Sequence, residues 1–195
     1  MNTNTVDTYE CYHGTSLENA QKIQTEGQFK SSNKDNEWAG TGVYFFIDKP
    51  GSKSCAANKN AAKWAKLFKK YPHPCVMKAT VQIEQAQILD FDQEDMRDLF
   101  HQCRTRYFQE ACRRAQAQGI ALKETYLEPG KLDCAAIDYM CKLFHFHAVI
   151  KPVYISCLSD VYRNGGHRYP KSFTPNCTML CLKDQNLICD LDIVV

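Results

Sequence analysis

No Cys-x-x-Cys pair occurs anywhere in this chain, although 11 of its 195 residues are cysteine. That absence removes the commonest zinc and dithiol redox frameworks. The odd count, in a chain too long for a small secreted scaffold, argues against a disulfide lattice, and the thiols are expected to pack reduced as small apolar side chains. Cys177 and Cys181 with His145 and His147 match no common ligand spacing, so no metal is expected. Also missing is any run approaching the roughly 20 apolar residues of a membrane helix, and Met1 to Glu10 is polar without a leader's apolar core. A soluble, cytoplasmic protein with no membrane partner is the expectation. Charge of one sign is lacking too: 24 Lys and Arg stand against 22 Asp and Glu. The global balance announces no polyanion, so any nucleic acid would have to be met by a local patch.

What is present, with 44% hydrophobic residues, is enough apolar side chain for one substantial core, and residues 1–195 read as one domain. A strand-like start at Thr8 to Tyr12 leads to Thr15, which with Glu18 spells a Thr-x-x-Glu capping box for a helix ending at Gly27. A polar loop then delivers the chain to Gly40, Gly42 and the β-rich run Val43 to Ile47. Ala61, Trp64, Ala65 and Phe68 recur at helical spacing before Pro72 and Pro74, and Met77, Ala79, Val81 and Ile83 alternate as one face of a strand. The spacing of Met96, Leu99, Phe100, Cys103, Tyr107, Ala111 and Ala115 predicts the longest helix, up to Gly119. Asp133 is placed to cap a further helix, and strands are expected over Ala148 to Ser156, Thr178 to Leu182 and Leu187 to Val195. Helices and strands interleave irregularly, which predicts an α+β fold.

Two short stretches carry the chemistry: "CYHGTS" at residues 11–16 and "GTGVYFF" at 40–46. His13-Gly14-Thr15 offers an imidazole, an unobstructed peptide and a hydroxyl within three residues, and Tyr44 adds a ring whose face attracts a planar cation. With these two stretches the chain resembles the ADP-ribosyltransferases of the diphtheria-toxin and poly(ADP-ribose) polymerase type, in a bacterial or phage toxin-like form. Their pattern is a His-Gly-Thr/Ser step on the first core strand, Gly-x-Gly-[Ile/Val]-Tyr-Phe on the next and a late third residue, usually Glu. The match is strong over about the first third of the chain and similar only in outline beyond it. The resemblance implies a split antiparallel sheet flanked by helices, NAD as co-substrate, and transfer of ADP-ribose to a macromolecular acceptor with release of nicotinamide. It further implies that His13 bonds the adenosine ribose, that Gly14 reads the carboxamide through its backbone, and that Tyr44 stacks on the nicotinamide ring. Thr15, Gly42 and Phe45 belong to the same binding segments, and either Ser54 or Trp64 would complete the clamp.

The late Glu has no direct counterpart: "KDQNLICD" sets Gln185 at its place, beside Asp184. A glutamine can orient ribose hydroxyls but carries no charge for an oxocarbenium-like centre, so mono-ADP-ribosyl transfer is expected rather than chain elongation. The alternatives are an NAD glycohydrolase and a catalytically inactive NAD- or ADP-ribose-binding module. A cysteine-nucleophile enzyme would need Cys11 or Cys157 within reach of a histidine. Arg97, Arg104, Arg106, Arg113 and Arg114 on the long helix, and His167, Arg168 and Lys171 in a Gly-containing loop, are candidate acceptor-reading patches, which leaves protein and RNA or DNA open. An inhibitory antitoxin is the further partner expected of a toxin-like enzyme.

Overall fold

A computed structural model describes residues 5–51, 55–122, 128–158 and 174–194. It is an α+β structure built on a seven-stranded sheet in the order β4-β5-β6-β2-β1-β3-β7. The strands are β1 (Val6–Ser16), β2 (Val43–Ile47), β3 (Pro74–Glu84), β4 (Ile88–Asp90), β5 (Ala148–Val153), β6 (Cys177–Leu182) and β7 (Ile188–Val194). The helices are α1 (Leu17–Glu26), α2 (Ala57–Lys63), α3 (Glu94–Ala117) and α4 (Pro129–Phe144). All pairings are antiparallel except β4 with β5, so the sheet is mixed rather than wholly antiparallel.

Strand alternation sorts the core onto two faces. Tyr9, Cys11, Val43, Phe45, Ile47, Ile150, Leu180 and Leu182 pack beneath α1 with Ala20, Ile23 and Phe29. On the reverse, Val149 and Cys181 meet α3 and α4 through Phe100, Ile137 and Met140, while Phe46 and Met179 meet α2 through Ala57 and Ala61.

Helix starts differ from the sequence reading in two places. Ser16, not Thr15, caps α1: its hydroxyl accepts from the Asn19 N–H at 3.2 Å, and β1 runs on through Thr15 into a buried position. Asp133 lies inside α4, which opens with Pro129 at its first turn, and its carboxylate pairs with Arg104 of α3 at 2.5 Å. The Gly119 stop is seen: it follows α3 with φ +62°. α2 does not end cleanly but widens into a π-helical turn, Trp64–Phe68, closed by Lys69 N–H to the Trp64 carbonyl at 3.0 Å.

Candidate active site

β1 pairs with β3 along its full length, from Val6 opposite Glu84 to Ser16 opposite Pro74. Its ladder with β2, by contrast, consists only of Cys11 opposite Ile47 and Tyr12 opposite Phe46. Continued, that register would set His13 opposite Phe45 and Gly14 opposite Tyr44, but the strands have parted there. In place of a ladder bond, the His13 imidazole donates from Nδ1 to the Tyr44 carbonyl at 2.8 Å. This fixes the tautomer and leaves Nε2 as an acceptor. Because the Tyr44 carbonyl faces β1, backbone alternation turns the N–H and C=O of Gly14 toward the same gap.

The side chains of His13 and Tyr44 leave the sheet on opposite faces. His13 sits among the α1-side residues, its ring edge-on to Phe29 at 5.2 Å and to Phe45 at 5.9 Å. Burial pushes its pKa down, opposed by the bond to the Tyr44 carbonyl and aided by the Lys69 ammonium, which favours the neutral ring. Tyr44 packs on the reverse with the α2 and α4 residues. Its hydroxyl accepts from Ala39 N–H at 2.9 Å and donates to the Gly40 carbonyl at 2.6 Å, so the hydroxyl is not available to a ligand. The two side chains therefore flank the gap between β1 and β2 rather than line a groove on one surface.

Several expected ligand contacts are taken up by the protein itself. Phe45 is fully buried and wedges against His13 and Phe29, so it supports the imidazole and cannot touch a cofactor. A Cβ on Gly14 would lie 2.1 Å from the Ala61 carbonyl oxygen, and one on Gly42 2.6 Å from the Leu182 carbonyl oxygen. These glycines admit α2 and β6 rather than open space for a dinucleotide. Thr15 is buried. Trp64 lies on the Tyr44 side, but its ring face is covered by Phe68, stacked at 4.1 Å, with Trp38 and Phe46 on its edges. It serves as an anchor for those rings rather than as the second half of a nicotinamide clamp. Ser54, and the loop bearing His167, Arg168 and Lys171, lie outside the described residues.

Gln185 is the plainest correction. Its carboxamide is spent on the Phe29 peptide: Oε1 accepts the Phe29 N–H at 2.7 Å and Nε2 donates to the Phe29 carbonyl at 3.0 Å. It braces the residue that abuts His13 instead of facing a ribose. Asp184 accepts from Asn186 N–H and lies 3.4 Å from His147 Nδ1, so it too is engaged locally. The cysteine-nucleophile reading fails on burial, which raises the Cys11 and Cys157 thiols and disfavours a thiolate.

Two features were missed from sequence. Lys183, just past β6, donates to the carbonyls of Ala39 and Thr41 at 2.8 and 2.6 Å and to Asp138 Oδ1 at 2.9 Å, while Asp138 accepts the Thr41 N–H. This largely buried ion pair pins residues 39–41, from which Tyr44 draws its hydroxyl partners, and Gly40 is glycine because its φ of +76° aims the Cβ position at Asp138, 2.1 Å away. The other is Glu37, half-buried and held by the Ser32 hydroxyl, whose charge is among those that raise the Tyr44 phenol. Nothing in its local sequence distinguishes it from the neighbouring loop acids. No family model matches the chain, and neither does any curated protein.

Proposed function

We propose that the chain is a mono-ADP-ribosyltransferase that binds NAD across the gap between β1 and β2 and transfers its ADP-ribose to a macromolecule. The observation that carries this is the parting of β1 and β2 after Tyr12 and Phe46, with His13 bridging to the Tyr44 carbonyl and the Gly14 peptide turned toward β2. On this reading the free Nε2 of His13 accepts from a ribose hydroxyl on one face. The Gly14 peptide pairs with the carboxamide within the gap, and the ring of Tyr44 meets the nicotinamide on the other face.

In the reaction the bond from the ribose anomeric carbon to the nicotinamide nitrogen breaks, and its electron pair leaves with neutral nicotinamide. The positive centre left behind then bonds to an acceptor oxygen or nitrogen, whose proton is lost. A carboxylate stabilises such a centre and can take that proton. Gln185 and Asp184 are engaged elsewhere, and the acid this reading nominates is Glu37, which lies two residues before Ala39 and is held by the Ser32 hydroxyl.

The test is incubation with NAD labelled in the adenylate. The reading expects free nicotinamide together with label on a macromolecule. Free ADP-ribose alone would make the protein a glycohydrolase, and binding without nicotinamide release would make it an inactive binding module.

A further inference from the structure

Between Asp48 and Glu84 the sequence carries eight lysines and no acid. Most of this stretch forms α2, its π-helical turn and β3. Lys49 and Lys78 are paired, with Asp90 and Asp92 and with Glu10, and Lys63 donates to the Leu158 carbonyl. Lys59, Lys66, Lys69 and Lys70 are exposed and, among the described residues, make no ion pair. The arginine-rich α3 is different. Arg104 is tied to Asp133, Arg114 to Glu110 and Arg97 to the Phe91 and Asp92 carbonyls, and four acids share that helix. Its face is close to balanced, so the lysine segment is the stronger cationic surface.

The π-helical turn gives this surface an aromatic centre. In a regular α-helix, residues four apart sit side by side, whereas here Trp64 and Phe68 lie flat on one another, 14° from parallel. Trp38, 39% exposed, joins them edge-on at 6.1 Å, and Phe68 is 56% exposed with one face on Trp64 and the other outward. The Lys69 ammonium lies 5.8 Å from both the Trp64 and Phe68 ring centres. A stacked, half-exposed ring pair with an unpaired lysine beside it, on a segment whose other exposed lysines are also unpaired, is the combination that holds a single-stranded nucleic acid: bases extend the stack and phosphates meet the ammoniums. A duplex keeps its bases from the ring, and an acidic peptide offers no flat faces to continue the stack.

We infer that Trp38, Trp64 and Phe68, with Lys69 beside them and the other unpaired lysines of the same segment flanking them, form a docking surface for single-stranded nucleic acid, which presents the acceptor strand to the adjoining gap. The acceptor role rests on the transferase reading; the binding does not. Trp64 packs in the same cluster as Tyr44, so a strand stacked on Phe68 reaches the Tyr44 side of the opening.

The experiment is anisotropy of labelled single-stranded RNA and DNA oligonucleotides in the absence of NAD, with a duplex of the same sequence and a polyglutamate peptide as controls, followed also by quenching of the two tryptophans. The expected result is single strands bound tightest, with quenching, and affinity falling about 20- to 50-fold between roughly 50 and 200 mM salt for three to four phosphate contacts. Phe68→Ala should weaken binding about tenfold or more, and the triple change Lys66→Glu, Lys69→Glu and Lys70→Glu should abolish it with the fold intact by circular dichroism. The RNA and DNA arms separate the two sources of strand. Equal binding of duplex and single strand, preference for the peptide, or indifference to Phe68→Ala overturns the inference. NAD binding without oligonucleotide binding sinks this surface alone, whereas oligonucleotide binding without NAD binding sinks the transferase reading alone.

Discussion

The imidazole of His13 donates its Nδ1 proton to the main-chain carbonyl of Tyr44 across 2.8 Å, at the point where their strands stop pairing. One side-chain bond thus takes the place of a sheet bond between the two strands. The burial that accompanies it lowers the ring's pKa and favours the neutral form, in which Nε2 is a lone-pair acceptor.

A base whose pKa is lowered by folding resists a proton that the unfolded chain accepts. The His13 contribution is therefore complete above its ordinary value of 6.5 and is lost as pH falls below it. Nitrogen-detected NMR should show His13 still in its neutral Nδ1–H form at a pH where exposed histidines are protonated. His13→Phe should flatten the loss of stability on the acid side of neutrality.

Gly14→Ala would push a methyl to 2.1 Å from the Ala61 carbonyl oxygen, a backbone atom with little room to yield. A loss of about 1–3 kcal/mol in urea unfolding is expected, since overpacking of this kind displaces backbone. Ligand binding, measured where the variant is folded, should weaken as α2 is pushed off β1.

Lys183→Met leaves the Asp138 carboxylate and the carbonyls of Ala39 and Thr41 without their shared cation. Both groups are largely buried, so a destabilisation of about 3 kcal/mol is expected, with recovery of part of it in the double variant Lys183→Met, Asp138→Leu. Hydrogen exchange should quicken at Thr41, whose amide is held by Asp138.

Gln185→Glu replaces a donor to the Phe29 carbonyl by a charge set against it. Stability should fall by about 1–3 kcal/mol while turnover per folded molecule changes little, the reverse of what a residue facing the ribose would give. Glu37→Gln should do the opposite, lowering turnover about a hundredfold or more with affinity for NAD and melting temperature nearly unchanged.

Much of the fold was legible because it rests on periodicity. The alternation of Met77 to Ile83 and the helical spacing of Met96 to Ala115 name their buried faces directly, and β3 and α3 follow them. What was not legible is long-range. The Lys183–Asp138 pair joins residues 45 positions apart, and the Gln185 clamp on Phe29 joins residues 156 apart, so neither leaves a local signature. The Gly14 and Gly42 stretches read as segments that approach a ligand, but sequence does not say what approaches a glycine: at both it is another backbone. A π-helical turn is likewise invisible in "AKWAKLF", which reads as ordinary helix until the stacking of Trp64 on Phe68 is seen.

Amide shift mapping on titration with NAD tests the central claim most directly, because Gly14 and Tyr44 border the gap while β7 is separated from it by β1 and β3. Saturable shifts concentrated at His13, Gly14 and Tyr44, lost in Tyr44→Ala, are the predicted result. An unperturbed spectrum at millimolar NAD, or shifts confined to other parts of the sheet, would contradict it.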